Sequence, residues 1–290
     1  GDPRWQTARP RGRMGRMTPN LLVLVDNRSD RPGLHTEHGL SLLVSGPDRQ
    51  YLFDAGTSGD VLLHNAAALH ADLRGIDGAI VSHGHYDHTG GLAAAASCRK
   101  PLDLYAHPAA FARRWADRDG QALEDIGCPH ALGTLRGLGV VLHPVEAPMP
   151  LRGWLVLSGP VGGPRCSGEH FLRGCDDEIV VDAFGDELFL LVRGARGWWV
   201  VTGCCHRGVR NTLHTAEFLT HDEPLTGLIG GLHLHDAGPE KLDETVALFD
   251  EHGLETVHPC HCTGEKAMAH LAQRMGERAR PVAAGARIEL

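Results

Sequence analysis

The chain has 290 residues, of which 42% are hydrophobic and 22% are charged, and its formal net charge is −8 at pH 7. This is the composition of an ordinary soluble globular protein, long enough for one large core or for a core with an inserted subdomain. The acidic balance argues against nucleic acid as a partner, because phosphate backbones are bound by basic surfaces.

Two features of the sequence bear on where the protein is located: its hydropathy and its cysteines. No stretch approaches the roughly 18 consecutive apolar residues of a spanning helix, and the start of the chain lacks an apolar signal core. We therefore expect a cytoplasmic protein that does not bind membranes, and we expect its eight cysteines to be reduced. Residues 1–19 are rich in arginine without periodicity and predict a flexible basic tail.

Short aliphatic runs predict the first strands of a mainly antiparallel sheet. Residues 21–25 form one strand, and residues 40–45 and 50–53 form a hairpin around a Gly-Pro-Asp turn. Asp54 directly follows this hairpin. Residues 58–73 have apolar side chains at helical spacing and therefore predict the first helix.

The next apolar run, 79–81, predicts a buried strand and leads into a dense group of metal-binding residue types. The group consists of His83, His85, Asp87 and His88. Histidines two residues apart on an extended turn can bind one ion, and the aspartate and histidine that follow can reach a second. Two ions about 3.5–4 Å apart can hold a shared water, lower its pKa and stabilise a substrate oxygen. Chance alone gives such a group with a probability on the order of 1%.

The middle of the chain is harder to interpret. Residues 102–106 predict a strand, and residues 109–118 predict a helix. Residues 119–186 are rich in glycine and proline, with strands only near 139–142 and 154–157, and they predict an insertion or lid. Loops in such a position commonly determine which substrate is bound.

In the second half of the chain, predicted strands and helices again follow one another in a regular order. Its predicted elements are, in chain order, strands 188–192 and 198–201, helix 209–219, strand 225–230, helix 242–251 and strand 254–257. A candidate site residue follows three of these strands: His206, His233 and His261. Thr263 is expected to cap the closing helix.

The pattern His-x-His-x-Asp-His after a strand resembles the metallo-β-lactamase superfamily. Further blocks, recurring from about residue 20 to 290, resemble its branch typified by the dihydropterin-ribofuranosylaminobenzene-phosphate synthase of methanopterin biosynthesis. These blocks include Asn27, Glu37-His38-Gly39-Leu40-Ser41, Thr202-Gly203-Cys204-Cys205-His206 and His261-Cys262-Thr263-Gly264. The resemblance implies an α/β fold, a four-layer αββα sandwich, in a single domain over 20–290 with an inserted lid or subdomain at about 119–186.

The resemblance also implies roles for single residues. An aspartate in the place of Asp54 supports the metal loop in the superfamily, and the last metal histidine corresponds to His261. Many relatives have a metal-bridging aspartate where this chain has Cys204. Either a thiolate at this position bridges, or His206 binds the metal; we favour His206, with Cys204 in a supporting place, because imidazole binds zinc, iron and manganese alike.

The expected cofactors are two divalent transition metals, with zinc first and iron or manganese as alternatives. Their predicted ligands are His83, His85, Asp87, His88, His206 and His261. Two residues are assigned catalytic roles. Asp87 would take or relay a proton, and His233 would act as an acid or base, unless it is itself a third ligand.

The function that we expect is a metal-dependent hydrolase for a small anionic substrate, namely a phosphoester, a lactone or an acyl or thioester compound. One alternative is a synthase or transferase that displaces diphosphate from a pterin-like substrate. Another is iron-dependent redox or sulfur chemistry, which the four cysteines near the site keep open. The last is a metal-binding protein that is not an enzyme. The expected partner is a small molecule, and a homodimer is left open.

Overall fold

The computed structural model of the protein describes residues 18–118, 122–164, 166 and 170–290, so most of the predicted tail at 1–19 lies outside the described residues. Its helices are α1 (Gly59–Ala68), α2 (Tyr86–Thr89), α3 (Leu92–Cys98), α4 (Leu132–Gly137), α5 (Val209–Thr220), α6 (Pro239–Glu251) and α7 (Glu265–Met275).

The strands are, in chain order, β1 (Asn20–Val25), β2 (Ser41–Ser45), β3 (Gln50–Phe53), β4 (Gly78–Ile80), β5 (Leu102–Ala106), β6 (Arg114–Ala116), β7 (Glu124–Asp125), β8 (Val140–Pro144), β9 (Met149–Arg152), β10 (Leu155–Leu157), β11 (Phe171–Cys175), β12 (Glu178–Val181), β13 (Leu190–Arg193), β14 (Trp198–Thr202), β15 (Leu225–Gly230), β16 (Thr256–Pro259) and β17 (Arg287–Glu289).

Two mixed sheets form the centre of the fold. The first has seven strands in the order β17-β1-β2-β3-β4-β5-β8, and the second has six in the order β16-β15-β14-β13-β10-β9. In both sheets antiparallel pairs give way to parallel ones. Strands β3, β4, β5 and β8 run parallel in the first sheet, as do β14, β15 and β16 in the second.

The two sheets pack face to face. Because successive side chains of a strand point to opposite faces, one strand contributes both to the core between the sheets and to the core under the helices. In β1, Leu21 and Val23 belong to the apolar cluster between the sheets, whereas Leu22 and Leu24 belong to the cluster under the outer helices. Burying one such side chain stabilises the fold by about 1.5–3 kcal/mol.

Helices cover both outer faces and complete the four layers. Leu62 of α1 and residues of α3 pack on the first sheet, and residues of α5, α6 and α7 pack on the second. Ser58 caps the start of α1: its side-chain oxygen accepts a hydrogen bond from the backbone nitrogen of Val61 at 3.2 Å. The αββα sandwich predicted from the sequence is confirmed.

Two local predictions were wrong. Residues 109–118 do not form a helix: a short 3-10 turn at Pro108–Phe111 leads into β6, which pairs with β11. Long-range pairing outweighs the helical preference of the alanines. Gly264, not Thr263, stands at the start of α7, while the Thr263 hydroxyl accepts a hydrogen bond from the backbone nitrogen of Leu232 at 3.1 Å.

The described residues of the range 119–186, expected to form an insertion or lid, contribute strands to three sheets. Strand β8 closes the first sheet, and β9 and β10 extend the second. Strands β11 and β12 join β6 and β7 in a four-stranded sheet of the order β12-β11-β6-β7, here called the accessory sheet. Among the described residues, no helix is long and apolar enough to span a membrane.

Candidate metal centre

The candidate ligands follow the carboxyl ends of parallel strands in both sheets. The loop 82–88 follows β4 of the first sheet, the turn 203–206 follows β14 of the second, and His261 follows β16. The carboxyl ends of neighbouring parallel strands meet at one edge, where open α/β sheets bind their ligands. The packing of the sheets brings these edges together.

The first group of ligand atoms comes from Asp87, His88, Cys204 and His261, all buried and all within 4.8 Å of one another. The Nε2 atoms of His88 and His261 are 3.2 Å apart, and the Asp87 Oδ2 atom lies 3.4 Å from the first and 3.2 Å from the second. Two imidazole nitrogens bound to one zinc ion at 2.0–2.1 Å would be roughly 3.3 Å apart in a tetrahedral site. The group therefore fits a divalent cation.

The second group comprises His83, Cys204 and His206, whose ligand atoms also lie within 4.8 Å of one another. The ring of His85 is 4.7 Å from that of His83 and 4.8 Å from that of His206, although its nitrogens are outside this group. The Nε2 atoms of His83 and His85 are buried without a hydrogen-bond partner among the described residues. Such a buried nitrogen costs about 1–3 kcal/mol, which coordination of a cation would remove.

The charges of His83, His85 and Asp87 suit metal binding. Burial lowers the pKa of His83 and of His85 well below its usual value, so both rings are neutral, as ligands must be. Burial opposes ionisation of Asp87, but His88 and hydrogen bonds from His261 and His38 hold the pKa of this carboxyl well below its usual range. The aspartate is therefore a carboxylate. For His88, by contrast, burial is outweighed by Asp87 and Asp54, which raise the pKa of this ring well above its usual value, so a cation would have to displace a proton from it.

In three of the candidate ligand histidines, the ring nitrogen that points away from the centre, Nδ1, contacts a specific partner. His88 Nδ1 donates to Asp54 Oδ2 at 2.7 Å, and His261 Nδ1 donates to Asn27 Oδ1 at 2.9 Å. The Ser82 hydroxyl donates to Asp54 Oδ2 at 2.7 Å and lies 2.9 Å from His83 Nδ1. These contacts fix the tautomers, so that Nε2 of each ring faces the centre. Asp54 therefore contacts two residues of the loop that the sequence predicted it to support.

Cys204, for which a supporting role was predicted, lies among the candidate ligand atoms themselves. Its sulfur is 3.2 Å from His88 Nε2 and belongs to every group of ligand atoms found among the described residues. Burial, together with the neighbouring Cys262, raises the pKa of the Cys204 thiol well above its usual value. A bound cation would compete with that thiol proton.

His206 is held by residues that the sequence did not single out. Its backbone nitrogen donates to Glu187 Oε1 at 2.6 Å, and the next nitrogen, of Arg207, donates to Glu187 Oε2 at 2.7 Å. Burial raises the pKa of Glu187 to about 7. The ring of Phe184 stacks on that of His206 at 4.1 Å, and Phe171 of the accessory sheet lies 5.4 Å away.

His38 and His233 are the less buried imidazoles around the centre. His38 Nε2 is 3.3 Å from Asp87 Oδ2, and its Nδ1 accepts a hydrogen bond from Asn27 at 3.2 Å. The only signal for His38 in the sequence was the block Glu-His-Gly-Leu-Ser. The ring of His233, predicted to be catalytic, lies 4.3 Å from that of His206.

The fold and these residues define a class of protein. The family model of the metallo-beta-lactamase superfamily matches residues 36–261, and the chain belongs to this superfamily. The chain is 27% identical over 245 residues to the 7,8-dihydropterin-6-methyl-4-(beta-D-ribofuranosyl)-aminobenzene-5'-phosphate synthase of Methanocaldococcus jannaschii, a match that covers 80% of this chain and 83% of that protein.

Two further relatives cover more of the chain. An uncharacterized protein of the same organism is 30% identical over 259 residues, covering 87% of this chain and 94% of its own length. The crystal structure of Tm1679, described as a metal-dependent hydrolase of the beta-lactamase superfamily, is 31% identical with a TM-score of 0.80, and the match covers 94% of this chain and 99% of that one.

Proposed function

We propose that the protein is a metal-dependent hydrolase with a dinuclear centre and a small anionic substrate. One observation carries the proposal: ligand atoms from both sheets converge in two groups, and buried nitrogens of His83 and His85 lack any partner among the described residues. The likeness to a structure described as a metal-dependent hydrolase supports the same reaction class.

The predicted ligands divide between the two positions. His83, His85 and His206 would hold one cation, and Asp87, His88 and His261 the other, with Cys204 between them. Bound cations would activate a water molecule and stabilise negative charge on a substrate oxygen. Zinc suits these imidazole and carboxylate ligands, as do iron and manganese.

Side chains at the edge of the centre would carry out the proton transfers of the reaction. Asp87 is ionised and lies 3.3 Å from His38 Nε2, so it can accept a proton and relay it outward. His233 is only half-buried, and its Nδ1 has no hydrogen-bond partner among the described residues. We assign this ring the donation of a proton to the leaving group.

A synthase that displaces diphosphate is the second candidate, because the chain is 27% identical to a synthase over most of its length. Both reactions would use the same centre, since cations that stabilise a substrate oxygen also stabilise a departing diphosphate. The two candidates differ in the second reactant, which is water for the hydrolase and an aromatic amine for the synthase.

The test combines metal analysis with activity. Protein purified without added metal should contain two transition-metal ions per chain and should hydrolyse at least one member of a panel of phosphodiesters, lactones and thioesters. The His83→Ala variant should lose one ion and its activity, whereas His143→Ala, at a surface pair with Asp103, should keep both. A full complement of ions with no hydrolysis on any substrate would favour the synthase.

A further inference from the structure

A third group of ligand atoms lies beside the two histidine-rich positions. It consists of the sulfurs of Cys204 and Cys262 and a ring nitrogen of His233, all within 4.8 Å of one another. Cys262 and His233 belong to neither of the other two groups. Both sulfurs are buried, whereas the His233 ring is half-buried.

The chain makes room for the Cys262 sulfur. A Cβ atom at Gly231 would lie 2.6 Å from this sulfur and 2.3 Å from the carbonyl oxygen of Gly203, so no larger residue fits at 231. The glycine therefore allows the loop after β15 to pass directly over the thiol. This close approach is what brings His233, two residues later, next to Cys262.

Hydrogen bonds then fix the sulfur in place. The backbone nitrogen of His233 donates to Cys262 Sγ at 3.3 Å, and Cys262 Sγ donates to the carbonyl oxygen of Cys204 at 3.6 Å. Backbone donors to a cysteine sulfur are typical of the surroundings that orient and tune metal ligands. The two loops are also joined by the bond from Leu232 to Thr263.

We propose that Cys204, Cys262 and His233 bind a third cation, of the soft or borderline type represented by Zn²⁺ and Cd²⁺. Two thiolates and one imidazole are a ligand set for such ions. Sulfurs bound to one zinc ion at 2.3 Å lie roughly 3.8 Å apart in a tetrahedral site, so adjustments of about 1 Å or less would complete the geometry. Cation binding displaces any proton that either sulfur still carries, and that proton passes to solvent.

This site goes beyond the proposed hydrolase; it shares Cys204 with the proposed centre and His233 with the proposed reaction, so a cation bound here would compete for both side chains. The ligands are two sulfurs and a nitrogen, in contrast to the nitrogen and oxygen atoms that predominate in the other two positions, so its cation preference differs. The sulfur of Cys204 is shared with the histidine-rich positions. Occupation of the third position would therefore couple soft-metal binding to the centre itself.

The test uses Cd²⁺ as the probe, because cadmium bound to thiolates absorbs in the ultraviolet. The protein as purified is reduced with a phosphine and dialysed against Cd²⁺, and bound ions are counted by native mass spectrometry. Wild type should bind one Cd²⁺ more than Cys262→Ser and should show stronger thiolate absorption, because Cys262 adds a cadmium-bound sulfur. Cys260→Ser is the matched control, since this buried cysteine packs in the core between the sheets and is outside the group.

A second variant covers the case in which Cys262→Ser fails to fold. His233→Gln leaves both thiols in place and should weaken Cd²⁺ binding at this position by about 10–100-fold or more, since the loss of a residue that only orients a ligand already has an effect of that size. Equal Cd²⁺ counts and equal absorption in wild type and Cys262→Ser, or no loss of affinity in His233→Gln, would overturn the proposal. Because the readout is binding, absence of hydrolysis leaves this inference unaffected and counts only against the proposed function.

Discussion

Asp54 contributes to the candidate centre without being among its ligand atoms. Its buried carboxylate accepts hydrogen bonds from His88 Nδ1, from the Ser82 hydroxyl and from the Ser82 backbone nitrogen, each at 2.7 Å. It therefore fixes both the loop backbone and the orientation of one imidazole. Partners of this kind set the tautomer and the orientation of a metal ligand and thereby affect metal affinity.

Replacing Asp54 by Ala should weaken metal binding by about 10–100-fold, because His88 would lose the partner that fixes its tautomer. Isothermal titration with Zn²⁺ measures the change. Asp103→Asn is the matched control, since Asp103 pairs with His143 in the same way on the surface and should bind metal as wild type does. Equal affinities for Asp54→Ala and wild type would contradict the supporting role.

Part of the candidate site was predictable from the sequence at the level of residues. The run His83 to His88 is contiguous, so its ligand density is visible without any knowledge of the fold. Asn27, His38 and Glu187 could not be assigned roles, because their contacts join positions far apart in the chain. Nothing local distinguishes a glutamate that holds the 206–207 backbone from one in solvent.

At the scale of elements, the accessory sheet is tied to the metal loop by a buried arginine. Arg114 of β6 donates to Asp182 at 2.8 Å and forms an ion pair with Asp186 at 2.7 Å. The second oxygen of Asp186 accepts a hydrogen bond from the backbone nitrogen of Gly84 at 2.9 Å. A displacement of β6 would therefore shift Asp186 and, through it, the backbone of the metal loop.

The Arg114→Leu variant should be destabilised by about 3–5 kcal/mol, because two buried carboxylates would lose their counter-charge. Urea unfolding monitored by circular dichroism measures this difference in the free energy of unfolding. Arg118→Ala, which removes an exposed pair with Glu124, should lie within about 1 kcal/mol of wild type. Equal stability of the two variants would show that the buried ion pairs contribute no more to the free energy of unfolding than an exposed pair does.

Whether an element could be predicted depends on whether its own sequence or its pairing with distant strands determines its structure. Strands such as β1 have apolar residues on both faces or alternate regularly, and helices α5 and α6 have apolar residues at helical spacing, so their sequences identify them. The strand β6 could not be recognised, because it is three residues long and owes its state to pairing with β11. Arg114 also breaks the expected pattern, since it is fully buried at a position that sequence reasoning treats as exposed.

At the scale of the whole molecule, bound cations should raise the melting temperature. An ion at 100 times its Kd stabilises the folded state by about 2.7 kcal/mol if it does not bind the unfolded chain. Removal of metal by a chelator should therefore lower the melting temperature by roughly 5–10 °C for a chain of this size, measured by differential scanning calorimetry. His143→Ala should show the same decrease, and His83→Ala a smaller one. A melting temperature unaffected by the chelator would indicate that no cation is bound in the purified protein.

The convergence of ligands from both sheets also has a consequence for cooperativity. His88 is 116 residues from Cys204 and 173 residues from His261 along the chain. A cation held by these side chains acts as a cross-link that closes two very long loops, and closing a loop of about 100 residues removes chain entropy equivalent to about 4.7 kcal/mol from an unfolded state that keeps the link. Neither sheet can open at this edge without breaking the cross-link. Slow amide hydrogen exchange should therefore show the two sheets opening together when metal is bound, and at separate rates once it has been removed.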